Sequence, residues 1–377
     1  MKKKCIETLK LFRYFKPLVI LDNNNILAYH SMKLFIINID NNSYERVGVF
    51  NGGIIEYIVS KFRLLTRVMR LEPRSCIPID NSGNILISFC KRLWVANVKN
   101  REITEVYRFR KGMNHCQTLC NHNDSIYFGE YMLNPAKHEI HIYRYDKKNS
   151  FVQKVFTYKK GEINHIHQII WDNYRKRYWI FAGDNGDASG IWYTDDDFRN
   201  LKVFLRGSQQ YRACVAYVTK DELIYATDTP YEQNYIIKIN LATKEILKHK
   251  KINGPGIYGI SNRTHFFWAT SIEPDLENVS GIRAWLTNRL AKGIEKKEVQ
   301  LIAMNKQSGE VDIIATYMKD YLPAGLFQFG EICFANNTLS PNTCIGYGQS
   351  LKKEDGCIIR IREKNDNEKN YGTNTPT

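Results

Sequence analysis

The chain has 377 residues, 43% of them apolar, and its 54 lysines and arginines outnumber its 39 aspartates and glutamates to give a formal charge of +15. That apolar content is enough for a large core, which excludes a disordered chain, and no apolar run approaches the ~18 residues of a membrane-spanning helix. The positive balance points to an anionic partner: nucleic acid, an acidic membrane surface or an acidic polysaccharide.

The opening MKKKCIETLKLFRYFKPLVIL is basic. Charges break its apolar runs and no small-residue cleavage site follows, so the expectation is a cytoplasmic protein without a signal peptide. Nine cysteines, at 5, 76, 90, 116, 120, 214, 333, 344 and 357, are odd in number and scattered, which reads as reduced core thiols. Cys116 and Cys120 have no second pair at zinc-site spacing.

In chain order, short β-rich segments bounded by Asn, Asp and Gly recur seven times. Second strands are read at residues 25–29 (NILAY), 84–89 (NILISF), 125–130 (SIYFGE), 178–184 (YWIFAGD), 223–228 (LIYATD), 266–271 (FFWATS) and 331–336 (EICFAN). Each is followed by an apolar third strand, from LFIINID in the first unit to GCIIRI in the last. Residues 161–213 hold the most complete unit, four strands with tight turns. The units repeat every 40 to 65 residues, roughly, which brackets the ~40 to 50 of a four-stranded propeller blade. The expected fold is therefore all-β, a single seven-bladed β-propeller over residues 1–363, followed by a polar disordered tail at 364–377.

Two insertions interrupt the pattern. Residues 51–72 place Ile55, Val59, Phe62 and Leu65 at helical spacing among Lys61, Arg63, Arg67 and Arg70, predicting an amphipathic basic helix. Residues 274–297 offer Ser280 as an N-cap and Ile282, Trp285, Leu286 and Leu290 as a stripe beside Arg283, Arg289 and Lys292. Both helices are expected to pack on the propeller rim, with a lid or a peripheral contact with an acidic membrane as the other readings.

In a propeller the loops joining strand 2 to strand 3, and those joining one blade to the next, open on the same face. The first kind supplies Glu130, Tyr131, Asn134, Asp184, Asn185, Asp228, Tyr231 and Asn234. The second, with the starts of first strands, supplies Arg74, His115, His165, His167, Gln210, Tyr211 and Arg212. His165 and His167 lie two apart on a strand and so point the same way. They read as an acid/base couple, as two ligands of a divalent metal, or as polar filler. Arg212 suits a bidentate grip on a carboxylate, and Glu130 suits either substrate or an ion pair with that arginine.

The runs NHIHQIIWD, FAGDNGD, GIWYTDDDF, RGSQQYRA and YATDTPYEQN, with GEYMLN upstream, resemble propeller proteins of the BNR-repeat or sialidase-like kind encoded with polysaccharide-synthesis genes. The likeness spans about residues 75 to 260. TDDDF looks like an Asp-box without its Gly and Trp, and in place of a sialidase arginine triad there are Arg212 and Arg74. More distantly, the arrangement is similar to seven-bladed lyases acting on uronate linkages. That resemblance implies a His and a Tyr for proton transfer and an Arg or Asn to neutralise the carboxylate. The resulting expectation is a carbohydrate-active enzyme on an acidic glycan, a monomer without cofactor, cleaving by β-elimination. Its catalytic set is His165, His167, Tyr131 and Arg212, with Glu130, Asn134, Asp184, Gln210, Tyr211, Asp228, Asn234, Arg74 and His115 around the substrate. The alternatives are a glycoside hydrolase with paired carboxylates and a non-catalytic binding propeller; no nucleic-acid motif is present.

Overall fold

The computed structural model describes residues 4–277, 279–336 and 343–363; the stretch 364–377, read as a polar tail, lies outside them. Seven four-stranded antiparallel sheets follow one another around a ring, each running outward from an inner first strand. Blade 1 spans Lys16–Ile20 to Ser43–Val49, blade 2 Ser75–Pro78 to Glu102–Arg108, and blade 3 Cys120–His122 to Phe151–Tyr158. Blade 4 spans Ile166–Asp172 to Lys202–Arg206, blade 5 Ala216–Val218 to Ile246–Ile252, and blade 6 Gly256–Ser261 to Val311–Met318. The seven-bladed propeller read from the repeats is the architecture observed.

Blade 7 departs from the expected register. Glu331–Phe334, read as a second strand, is the inner first strand, and Cys344–Gln349 is the second. Ile358–Glu363 is the third strand, as read, and the outermost is the N-terminal Lys4–Leu9, paired from Lys4↔Glu363 to Leu9↔Ile358. The two chain ends thus share one sheet and close the ring. Glu7 fastens the seam, accepting from Arg360 at 2.7 Å and from Arg362 at 3.3 Å. On the inner side Ile20 N–H donates to Asn336 and Asn336 N–H to Leu18, at 2.9 and 2.8 Å. The misreading is physical in origin: a strand that completes its sheet from the far end of the chain leaves no local sequence pattern.

The core is divided among the blade interfaces. Seven apolar clusters each join two neighbouring blades, from Leu18, Leu27 and Tyr29 against Ile85, Phe89 and Trp94 to Phe12, Ile20 and Ile37 against Ala335, Ile345 and Ile358. Alternate strand residues reach opposite faces of a sheet, so each blade buries both faces against its neighbours. All nine cysteines are thiols, and six are buried.

The insertions form short helices, α1 (Ile54–Val59), α2 (Arg63–Val68) and α3 (Gly281–Leu286), joined by α4 (Ala324–Phe327). The first insertion is two helices rather than one; Val59 of α1 packs on the core between blades 1 and 2, but the polarity of α2 is reversed. Thr66 and Arg67 are the residues α2 buries, whereas Leu65, Phe62 and Ile55 are exposed. Ser280 occupies the N-cap of α3 without a side-chain cap bond. Among the described residues, no helix is long and apolar enough to cross a membrane.

Removing residues 1–9 will expose the edge of Ile358–Glu363 and unfasten the ring. The expected outcome is a midpoint of thermal unfolding lower by ~5 °C or more, since one kcal/mol moves a chain of this size by a few degrees. An unchanged midpoint in scanning calorimetry would show that the inner hydrogen bonds alone close the ring.

Candidate functional site

Blades 3 to 6 bring their polar loops together on one face. His165 and His167 open the first strand of blade 4, where the register passes from Ile166↔Ala182 to Gln168↔Phe181 and leaves His167 as the extra residue of a bulge. Such a bulge re-aims a side chain. The turn after the second strand presents Asp184, and Gly183 makes that turn possible: its φ is +80°, and a Cβ there would meet the Ala188 carbonyl oxygen at 1.5 Å. The corresponding position in blade 5 carries Asp228.

Backbone carbonyls settle the state of the two histidines. His165 Nδ1 lies 2.9 Å from the Met132 oxygen and His167 Nδ1 3.2 Å from the Ala213 oxygen. A carbonyl only accepts, so each Nδ1 carries the proton and each Nε2 presents a lone pair. Those two Nε2 atoms are 2.8 Å apart, and Asp184 Oδ1 stands 3.2 Å from one and 3.3 Å from the other. Asp184 Oδ1 is buried and receives no hydrogen bond. Three lone-pair atoms facing one another require a cation among them, either an added proton or a metal ion. Burial pushes the His167 ring toward its neutral form, although Asp184 pulls the other way. The edges of this triangle match the roughly 3.0 Å between adjacent ligands of an octahedral ion with bonds of ~2.1 Å. Two imidazoles and one carboxylate are also an established donor set for divalent metals.

A second trio, His167, Cys214 and Asp228, is a poorer cradle. Burial and then Asp228 hold the Cys214 thiol well above its usual range, and its Sγ donates to Asp228 Oδ2 at 3.1 Å.

Arg212 bridges the carboxylates, with Nε 3.1 Å from Asp228 Oδ2 and Nη2 3.4 Å from Asp184 Oδ1. Burial by itself would raise the Asp184 carboxyl, but Arg212 and His165 hold it well below the usual range. The Tyr131 ring packs 4.4 Å from that of His165. Burial and the neighbouring Cys214 raise its hydroxyl, so it stays protonated. His115 pairs with Tyr131 in a β-bridge, and burial together with Arg74 pushes it down to about 3. Arg74 lies over the Tyr258 ring at 4.9 Å and 3.7 Å from Glu331. It also lines a cavity of about 450 Å³ running along the inner strands.

Other residues read from the sequence sit elsewhere in the hydrogen-bond network. Glu130 is fully buried and its carboxylate is taken by Arg110 at 2.5 Å, by the His141 amide at 2.9 Å and by Tyr143 at 3.0 Å. Its arginine partner is therefore Arg110 and not Arg212. Asn134 staples its own loop through His138 and Asn164, and Asn234 does likewise through Thr227 and Thr229. Gln210 donates to Glu232 at 2.8 Å, and Tyr211 packs on the cluster between blades 4 and 5.

Glu273 was not read from the sequence. Burial, reinforced by Asp228, raises its carboxyl from 4.5 to about 7 against the pull of Arg212, and Ser271 Oγ bonds Oε1 at 3.2 Å. The signal was present: FAGD, YATD and WATSIE place Asp184, Asp228 and Glu273 after the second strands of three successive blades.

The fold and this face define a seven-bladed propeller with a buried histidine–carboxylate–arginine cluster. The structure is similar to an oligogalacturonate lyase in complex with manganese, with 9% identity, TM-score 0.57 and 97% of each chain covered. It is also similar to an oligogalacturonate lyase from Vibrio parahaemolyticus, with 10% identity, TM-score 0.56 and 97% and 98% covered. A chain of the mitotic checkpoint complex matches at TM-score 0.51 and 10% identity, with 96% of this chain and 95% of that one covered. Likeness at such identities establishes the fold alone. The sequence matches no protein-family model and no curated protein, so the BNR-repeat or sialidase-like resemblance is not supported at the family level.

The raised Glu273 carboxyl sets a pH dependence of stability. Between pH 4.5 and about 7 the folded chain keeps a proton that the unfolded chain gives up, so the stability it contributes is complete below 4.5 and is lost as pH rises through about 7. Glu273→Gln is expected to flatten that part of the stability curve, measured by urea unfolding from pH 4 to 8. Parallel curves for the two proteins would show that Glu273 ionises normally.

Proposed function

We propose that this protein is a lyase that cleaves acidic, uronate-containing oligosaccharides by β-elimination, with a divalent metal held by His165, His167 and Asp184. The observation that carries the reading is the triangle of two imidazole lone pairs and one carboxylate oxygen placed against Arg212. A divalent ion held by His165, His167 and Asp184 would supply positive charge to offset the uronate carboxylate and acidify the C5 proton. Without it Arg212 alone faces Asp184 and Asp228, one positive charge against two negative; a divalent ion would reverse that balance in favour of an anionic sugar. The manganese of the oligogalacturonate lyase that this fold resembles supports the metal, and the substrate of both lyases supports the uronate.

Elimination removes the C5 proton, breaks the C4–O bond, forms a C4=C5 double bond and returns a proton to the leaving oxygen. Histidines pinned as ligands cannot accept the C5 proton, so the base in this reading is Glu273, a carboxyl beside the cluster whose proton affinity burial and Asp228 raise. Tyr131, kept protonated by burial, donates to the leaving oxygen. Arg212 orients the carboxylate.

Incubation with oligogalacturonate and other uronate oligosaccharides in the presence of Mn²⁺ tests the proposal. Ultraviolet absorbance of the unsaturated product is expected to rise in step with reducing ends. Reducing ends without absorbance would mean a hydrolase, with Glu273 as acid and Asp228 as partner. Tyr131→Phe, Arg212→Ala and Glu273→Gln should each lower turnover by ~10² or more.

Metal binding has its own readout. Mn²⁺ at 100 times its Kd should stabilise the wild-type chain by ~2.7 kcal/mol, and Asp184→Asn should abolish the shift. A melting curve indifferent to Mn²⁺ would leave a proton, not a metal, between the histidines.

A further inference from the structure

The four helices present an apolar surface that the propeller does not use. Helix α1, IIEYIV, buries none of its residues, and Ile54 and Ile55 are 80% and 69% exposed. In α2 the charges point inward. Arg63 pairs with Glu72 at 2.6 Å and Asp355 at 2.8 Å, and Arg67 pairs with Asp320 at 2.7 Å and donates to the Phe327 carbonyl and Ser350. Leu64 and Leu65 are left facing solvent. An amphipathic helix on a soluble rim has the opposite polarity.

Helix α3 repeats the pattern, with no residue buried and Ile282 and Trp285 70% and 61% exposed. The pieces are continuous. Arg67 ties α2 to the end of α4, and Gly325 of α4 lies so close to α3 that a Cβ would meet the Ala284 carbonyl oxygen at 2.5 Å. These helices lie between blades 1 and 2, within blade 6 after its second strand, and between blades 6 and 7. By the topology of a propeller, all three places open on the face that carries His165, Asp184 and Arg212.

Helices of six residues are marginal without a packed face, and an exposed apolar patch of this extent marks a binding surface. Its surroundings select the partner. Lys61, Arg70 and Arg283 are exposed, and among the described residues none has a carboxylate within ion-pair distance. Trp285, Tyr57 and Tyr321 are exposed beside the aliphatic side chains, the aromatic placement found at bilayer interfaces. Aliphatic residues, interfacial aromatics and cations that stack on aromatic rings rather than on carboxylates, as Lys61 does on Tyr57 and Arg70 on Phe329, in a chain of net charge +15, are complementary to an anionic lipid surface. We infer that this helical crescent docks the protein on an anionic bilayer, which holds the mouth of the polar site at the lipid surface.

The inference is independent of the lyase reading, because its test contains no glycan. The full-length chain is sedimented with vesicles of phosphatidylcholine alone or with 30% phosphatidylserine. Binding is expected to the anionic vesicles, to fall steeply with salt and to drop at least tenfold in Lys61→Glu/Arg70→Glu/Arg283→Glu and in Ile54→Ser/Ile58→Ser/Trp285→Ser. Both sets alter exposed side chains, and unchanged melting curves confirm their folds. Trp285 fluorescence should shift to the blue on binding, with Trp285→Phe as the blank. Equal partition into neutral vesicles, no partition into either, or a dimer in ultracentrifugation that the apolar variant dissolves would each overturn it, the last by assigning the surface to a protein partner.

Discussion

A ring of sheets depends on the contact that joins its last blade to its first. Here that contact is a six-residue antiparallel pairing between Lys4–Leu9 and Ile358–Glu363, with Glu7 gripped by Arg360 and Arg362 across the pair. Because the first strand of the chain is the last strand of the final blade, no sheet is left with an open inner gap and every blade has two neighbours. The seven interblade clusters then bury both faces of each sheet. The loops at the mouth are set on this frame, and His165, His167, Asp184 and Arg212 are held within ion-pair or hydrogen-bond distance of groups from blades 3, 4 and 5.

At the mouth, desolvation and convergence act together. Carbonyl oxygens of Met132 and Ala213 decide where the imidazole protons lie, so the lone pairs are aimed by backbone rather than by flexible side chains. Arg212 keeps Asp184 ionised where burial alone would protonate it. Glu273, less favoured by that arginine and closer in effect to Asp228, is left near the midpoint of its titration at neutral pH. Two acids under the influence of the same guanidinium thus take different protonation states, the difference on which acid–base chemistry depends.

The surface helices carry the opposite lesson about charge. In α2 the arginines are buried because Glu72, Asp320 and Asp355 are waiting for them, and a buried guanidinium with full hydrogen bonding is tolerated where an unpaired one is not. The apolar residues at helical spacing are consequently displaced outward. Periodicity identifies which residues share a face of a helix; it does not say which face the protein covers.

The sequence by itself determined the number of blades, the strand-turn-strand units of the first six, and the side of the ring on which Tyr131, His165, Asp184, Arg212 and Asp228 emerge, because these follow from the period of two along a strand and from loop order. Glu273 was within reach of the same reasoning, lying in blade 6 one residue beyond the place that Asp184 and Asp228 hold in their blades. What only the tertiary structure decided was partnership. That Glu130 belongs to Arg110, that EICFAN is an inner strand, that the N-terminus completes the last blade, and that the histidine Nδ1 atoms are held by carbonyls all depend on groups distant in the chain. Long-range pairing is set by packing and by the need to satisfy each buried donor and acceptor, and neither leaves a local trace in the residues that answer to it.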